Sequence, residues 1–343
     1  MNGQRNNTLD VIKTVCTFMV VFIHAGENSS LATYIKVICT CAVPFFFLVS
    51  GYYLSLNISA GKTEYIHRQL KKIGVLFITS NIIYAVCVSV LMLLFHDDLS
   101  GFWKRALSGG SMIDFLLFNN SPFAYHLWYI GALLYAFVFY SLMSIPKRQT
   151  WKSIGYLPFL LILAVVTGVY SDLFFKRSFP IYISRNFISI GIPSIAIGYM
   201  LHSAINKYRR LRKYALLSVL VLAVSVMLER FILHRSGILS TGSIFITTLP
   251  LAVSIFVFAA TDERGYSASI MKALADIGRR DSANIYIYHL LFLYISNHMI
   301  TGKNAVYLHT KALLIFIMTL AFSRGLQFAQ NSFFKRKRQL TNR

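Results

Sequence analysis

Long apolar runs restrict this chain more than any other feature of its sequence. About ten of them approach or exceed the roughly 20 residues needed to cross a bilayer as a helix. They fall near 8–26, 32–56, 73–95, 127–145, 154–171, 185–203, 213–232, 243–260, 282–300 and 305–324. Only 13% of all residues are charged, about half the share in an ordinary soluble domain. The mean hydropathy is +0.59. The pattern predicts an all-α polytopic membrane protein, one transmembrane domain over 1–343 with a basic tail at 325–343.

The formal net charge of +22 does not point to nucleic acid, because the cations sit in the connections between apolar runs. Arg5, Arg68-Lys71-Lys72, Lys147-Arg148-Lys152, Lys207-Arg209-Arg210-Arg212-Lys213, Arg264-Lys272-Arg279-Arg280 and Lys335-Arg336-Lys337-Arg338-Arg343 fall in alternate connections. Cytoplasmic loops carry the excess of Lys and Arg, so both termini are expected in the cytoplasm. The longest connection, about 96–126, then faces outward. Cys16, Cys39, Cys41 and Cys87 lie in apolar stretches and read as small core residues. The first run has no signal-peptide pattern and is expected to be retained. No His spacing suits a metal, and no internal repeat of the kind common in transporters is visible.

The opening run, TLDVIKTVCTFMVVFIHAG (8–26), carries Asp10, Lys13 and His24. An ionisable side chain inside a membrane helix costs about 2.5–3.5 kcal/mol on insertion scales, so such residues usually face protein or water. Ten residues separate Lys13 from His24. Eleven helical steps of about 100° make roughly three turns, which puts both on one face about 16 Å apart along the axis. A cation at one end and an imidazole toward the other suit a long anionic cosubstrate such as an acyl-CoA, phosphate at Lys13 and thioester at His24. A proton relay would use the same residues, and Asp10 and Lys13 near a helix end could also snorkel to the interface.

Six segments in order resemble the membrane acyltransferase-3 family. The first pairs Leu9-Asp10-Val11-Ile12-Lys13 with His24. The second, AVPFFFLVSGYYLS (42–55), holds Val43-Pro44-Phe45-Phe46 and Ser50-Gly51-Tyr52; the basic YIHRQLKKI (65–73) follows it. HLWYIGALL (126–134), RNFISIGIPSIAIGYML (185–201) and DSANIYIYHLLFLYI (281–295) complete the series. The chain departs from the family in having Lys13 where Arg is usual, and Arg68, Lys71 and Lys72 in place of an Arg-x-x-Arg pair. Lysine keeps the charge but loses the planar fork that grips phosphate. Many members also carry an extracytoplasmic domain, which is not read in this sequence.

The resemblance implies transfer of an acyl group, usually acetyl, from cytoplasmic acyl-CoA to a hydroxyl of a cell-surface or lipid-linked glycan. It makes His24 the catalytic residue, as base or as acyl carrier, in a multi-pass protein of the cytoplasmic (inner) membrane. Lys13, Arg68, Lys71 and Lys72 become candidates for the phosphates of the donor. Asp10 would orient Lys13, Arg185 would meet the glycan or anchor at the interface, and His289 would line the pore or support the structure. Acetyl-CoA enters as cosubstrate; no resident cofactor is expected. His126 and Trp128 read as aromatic-belt residues. A transporter or exporter of a glycan intermediate or small acid is the alternative, and would be expected to show paired helix breaks near the midplane. Pro44, Pro193 and Pro250 interrupt the runs, without symmetry. The membrane part of a signalling or racemase-type protein is a third reading.

Overall fold

The computed structural model describes residues 6–27, 29–62, 64–144, 150–205, 212–238, 244–262, 268–300 and 305–341. The topology markers Arg5, Lys147, Arg148, Lys207, Arg209, Arg210, Arg264 and Arg343 lie outside them. No strand occurs among the described residues.

The first helices are α1 (Asn7–Ala25), α2 (Ser30–Cys39), α3 (Ala42–Ser59) and α4 (Tyr65–Leu94). Then come α5 (Leu99–Ala106), α6 (Gly109–Phe118), α7 (Trp128–Ser144), α8 (Leu161–Val166), α9 (Ser171–Phe175) and α10 (Ile181–Ser184). The last are α11 (Ile192–Ile205), α12 (Arg212–Arg235), α13 (Thr248–Ala260), α14 (Ser269–Arg280), α15 (Ser282–Met299) and α16 (Ala305–Thr341). Among the described residues, seven stretches are long and apolar enough to cross a membrane: 7–25, 30–59, 65–94, 125–143, 181–205, 212–235 and 305–333. The protein is therefore a multi-pass, all-helical chain.

Ten spans were expected. Two of the other three are represented by shorter apolar stretches, Ile154–Val166 and Thr248–Ala260. The former opens as a 3₁₀ segment with Pro158 inside it; proline removes a helical donor, and 3₁₀ geometry does not sustain a long straight helix. The third is α15, which Asn284, His289, Asn297 and His298 make less apolar. The expected outward connection 96–126 contains α5 and α6, and the basic tail continues the last helix to Thr341.

The chain divides into two compact units, Met1–Lys36 with Arg264–Arg343, and Val37–Glu263. In the first unit α1 packs on α14, α15 and α16. Its core is Val21, Ala25, Ile285, Ala312, Ile315 and Phe316, with Phe18 edge-on to Phe316 at 5.5 Å. The amphipathic α14 approaches α1 closely at Gly278, where an added β-carbon would lie 1.9 Å from the Asp10 carbonyl oxygen. Thr14 Oγ1 donates to the Leu274 carbonyl at 2.6 Å and fixes the register.

In the second unit α3 packs on α11 through reciprocal glycines. A β-carbon on Gly51 would meet the Ile195 carbonyl oxygen at 2.0 Å, and one on Gly198 the Leu48 carbonyl oxygen at 2.1 Å. Small residues allow this backbone contact, the usual way helices associate where burial from lipid gives little driving force. On α12, the Glu229 carboxylate accepts from the amides of Ile246 (2.7 Å) and Thr247 (3.1 Å), from Thr247 Oγ1 (2.5 Å) and from the Tyr170 hydroxyl. It thereby satisfies donors just ahead of α13 that would otherwise face an apolar surrounding.

Candidate functional site

The first unit holds the titratable stripe. Asn6 caps α1 by accepting the Leu9 amide at 2.8 Å, and the helix runs unbroken past His24. Asp10 is 1% exposed and Lys13 Nζ stands 3.0 Å from its Oδ1. Snorkelling therefore does not describe Asp10: its carboxylate is inside the protein, held by a charge three residues on. Lys13 retains partial exposure, 15% of its side chain, so a further anion can approach it.

Near the other end of α1, the half-buried His24 ring meets His289 of α15. Their centroids are 5.3 Å apart and their planes 32° from parallel. His289 is fully buried, with Nδ1 2.8 Å from the Tyr286 carbonyl oxygen and 3.1 Å from that of Ile285. Carbonyl oxygens only accept, so Nδ1 carries the hydrogen and the neutral ring keeps its lone pair on Nε2. The helical backbone of α15 thus sets the tautomer of the imidazole that His24 touches.

The second unit carries the remaining sequence candidates in two separate places. Arg68, Lys71 and Lys72, in the first turns of α4, are exposed and have no ion-pair partner among the described residues. Arg185 lies between α10 and a π-helical turn, Phe187–Gly191, that leads into α11. Asn186 builds that turn, accepting the Ile188 amide (2.9 Å) and the Ser189 amide (3.1 Å). The Arg185 guanidinium stacks 5.1 Å from the Trp128 ring centroid. Trp128 is 7% and His126 1% exposed, so neither is a lipid-facing belt residue; Trp128 lies inside against Arg185, and the His126 ring packs edge-on to Tyr84 at 5.0 Å.

Asn119 was not anticipated. It is fully buried with a left-handed backbone, φ 55°. Its amide donates to the Trp128 carbonyl at 2.9 Å, and its Oδ1 accepts the Phe187 amide at 3.1 Å. It joins the HLWY and RNF segments, which lie far apart in sequence. The Ser-Gly of α3 meets the same region: Tyr129 hydrogen-bonds Ser50, and its ring packs 4.7 Å from that of Phe47.

The family model described as an acyltransferase domain matches residues 6–326. The chain is also similar to an amino-acid racemase of Enterococcus faecalis, 29% identical over 148 residues, covering 40% of this chain and 20% of that protein. A serine/alanine racemase of Enterococcus gallinarum is 27% identical over 169 residues, covering 44% of this chain and 22% of that protein. The matched region is about a fifth of the length of these curated relatives. No solved structure matches the chain.

Proposed function

Because the chain belongs to the acyltransferase-3 family of membrane acyltransferases, we propose that it moves an acetyl group from cytoplasmic acetyl-CoA to a hydroxyl of a cell-surface or lipid-linked glycan. It does so from the cytoplasmic membrane, with both termini inside. The observation that carries this reading is α1 itself. It has a buried Asp10–Lys13 pair toward one end and His24, ring to ring with His289, toward the other.

Lys13 takes a phosphate of the donor, and the pantetheine arm runs along α1 toward His24, about 16 Å away along the axis. Arg68, Lys71 and Lys72 are further phosphate-seeking cations, and Arg185 recognises the acceptor glycan. In one route His24 removes the proton of the acceptor hydroxyl as its oxygen bonds to the thioester carbonyl carbon. The carbon–sulfur bond breaks and the imidazolium returns the proton to the leaving thiolate. In the other, the imidazole itself takes the acetyl group, releases the thiol, and yields the acetyl to the hydroxyl in a second step. His289 holds the His24 ring in either case.

The test is the mass of the cell-surface glycan from cells with and without the gene, and with His24→Gln. Loss of 42 Da steps (about one acetyl for one hydrogen) in both deficient strains supports the reading. An unaltered glycan that instead fails to reach the surface favours export over transfer.

A further inference from the structure

In the first unit the cation assigned so far to the donor is Lys13. The first unit contains another group of positive charge, on α14 and α16. Asp276 Oδ1 is 2.5 Å from Arg279 Nη2 and 2.9 Å from Arg280 Nε, while Oδ2 is 2.9 Å from Arg324 Nη2. Arg324 Nη2 also reaches Asp281 Oδ2 at 2.7 Å. Asp281 is fully buried and accepts from Ser323 (2.7 Å) and Gln327 (2.7 Å) through Oδ1. The Arg279 hydrogen bond, working against desolvation and helped by Arg324 and Arg280, holds the Asp276 carboxyl below its usual range.

Three guanidinium groups therefore face two carboxylates. Pinning α16 to α14 accounts for part of this cluster but not for its excess. Each guanidinium offers about five N–H donors, and the contacts above use one nitrogen of each arginine. The remaining donors have no partner among the described residues. The side chains of Arg279, Arg280 and Arg324 are 34%, 58% and 39% exposed. Exposed donors on planar cations with a net positive charge match phosphate oxygens in geometry and in sign.

Position adds to this. Arg279 follows Gly278, whose backbone lies against Asp10. The cluster is thus tied to the end of α1 that carries Lys13 and lies away from His24. A donor whose thioester is at His24 has its nucleotide at that end.

We propose that Arg279, Arg280 and Arg324 form a phosphate-binding site for the nucleotide end of an acyl-CoA. The site rests on the reading of acyl-CoA as donor given above. It supplies the forked donors that Lys13 lacks, which is how this chain tolerates lysine where its family resemblance favours arginine.

The experiment uses the full chain in phosphatidylcholine nanodiscs, so that no anionic lipid competes. Binding of adenosine 3′,5′-bisphosphate is measured by calorimetry, and transfer is measured with acetyl-CoA and with acetyl-pantetheine, which lacks the nucleotide. Arg280→Gln leaves Arg279 and Arg324 on Asp276. It is expected to weaken bisphosphate binding and to raise the KM for acetyl-CoA, each by about tenfold as for loss of a charge-assisted contact. The KM for acetyl-pantetheine should not move, and Arg280→Lys should fall between. Equal losses with both donors, or unchanged bisphosphate binding, overturn the site. So does an effect confined to nanodiscs containing phosphatidylglycerol, which would make the cluster a reader of lipid headgroups. A wild-type protein that binds the bisphosphate but transfers acetyl from neither donor refutes the proposed function and leaves the site standing.

Discussion

His24 and His289 face each other with ring centroids 5.3 Å apart, one on the opening helix and one 265 positions later on α15. The Tyr286 and Ile285 carbonyls fix the hydrogen of His289 on Nδ1. His24 thus has a neighbour whose orientation the backbone determines.

His24→Gln keeps size and hydrogen bonding but cannot take a proton at neutral pH. Transfer is expected to fall by about 10²–10⁴-fold, the contribution of a positioned acid–base group, with an unchanged melting temperature. His289→Asn keeps a donor near the Nδ1 position and should lower kcat while leaving the KM for acetyl-CoA unmoved. Near wild-type turnover in His24→Gln would make His24 a packing residue.

Lys13→Ala removes the cation beside a carboxylate that is 1% exposed. Breaking a buried pair in this way costs about 3–5 kcal/mol, so expression and melting temperature should drop. Adding Asp10→Asn should restore stability without restoring the affinity for acetyl-CoA. Lys13→Arg should keep or improve that affinity, because the fork is regained. Full affinity in the stabilised double variant would remove Lys13 from phosphate contact.

Gly278→Ala, Gly51→Ala and Gly198→Ala each place a methyl group about 2 Å from a facing carbonyl oxygen. Overpacking of this kind costs about 1–3 kcal/mol. Thermal unfolding in detergent should register all three, and Gly278→Ala should in addition impair transfer, because it displaces α14 from the Asp10 end of α1. Gly155, whose added β-carbon meets nothing within 4 Å, is the control.

Glu229→Gln turns one acceptor oxygen into an N–H group facing other donors. Leaving such groups unsatisfied costs about 1–3 kcal/mol each. The variant is expected to melt earlier than wild type, and accelerated amide exchange at Ile246 and Thr247 is the specific readout. Unaltered exchange there would show that water replaces the carboxylate.

Orientation is tested with single cysteines and a membrane-impermeant thiol reagent. Labels replacing Leu107 and Phe175, both exposed, should react from outside. Labels at 149 and 210 should react only after the membrane is broken, as the alternation of basic connections requires. Outside labelling at 210 would overturn the alternation of the basic connections and with it the cytoplasmic placement of the termini.

Sequence reasoning reached α1 and its stripe because three polar residues in an apolar run are conspicuous, and helical spacing says which of them share a face. It reached α3, α4, α7, α11 and α12 for the same reason of length and apolarity. It passed over α14, reading its arginines as a connection, although Ile270, Leu274 and Ile277 recur at helical spacing and mark an apolar face. Asn119 and Glu229 left no such trace. Their roles are set by partners 68 and 17 positions away, Phe187 and Ile246, and a lone Asn or Glu looks the same in sequence whether it joins two segments or faces solvent. The pairing of His24 with His289 was hidden for the same reason, although each residue stood out individually.

The glycine contacts of α3 and α11 have a mechanical consequence. Two backbones touching at Gly51 and Gly198 leave no gap for lipid or water and no long side chains to slide past one another. The pair behaves as a stiff strut. Any breathing of the second unit during a catalytic cycle must then be absorbed where the helical ladder is already irregular. Those places are the 3₁₀ segment around Pro158 and the π turn after Asn186, and the second of these adjoins Arg185. On the proposed function, a glycan arriving at Arg185 would bear directly on a joint of the scaffold, while the strut keeps its length.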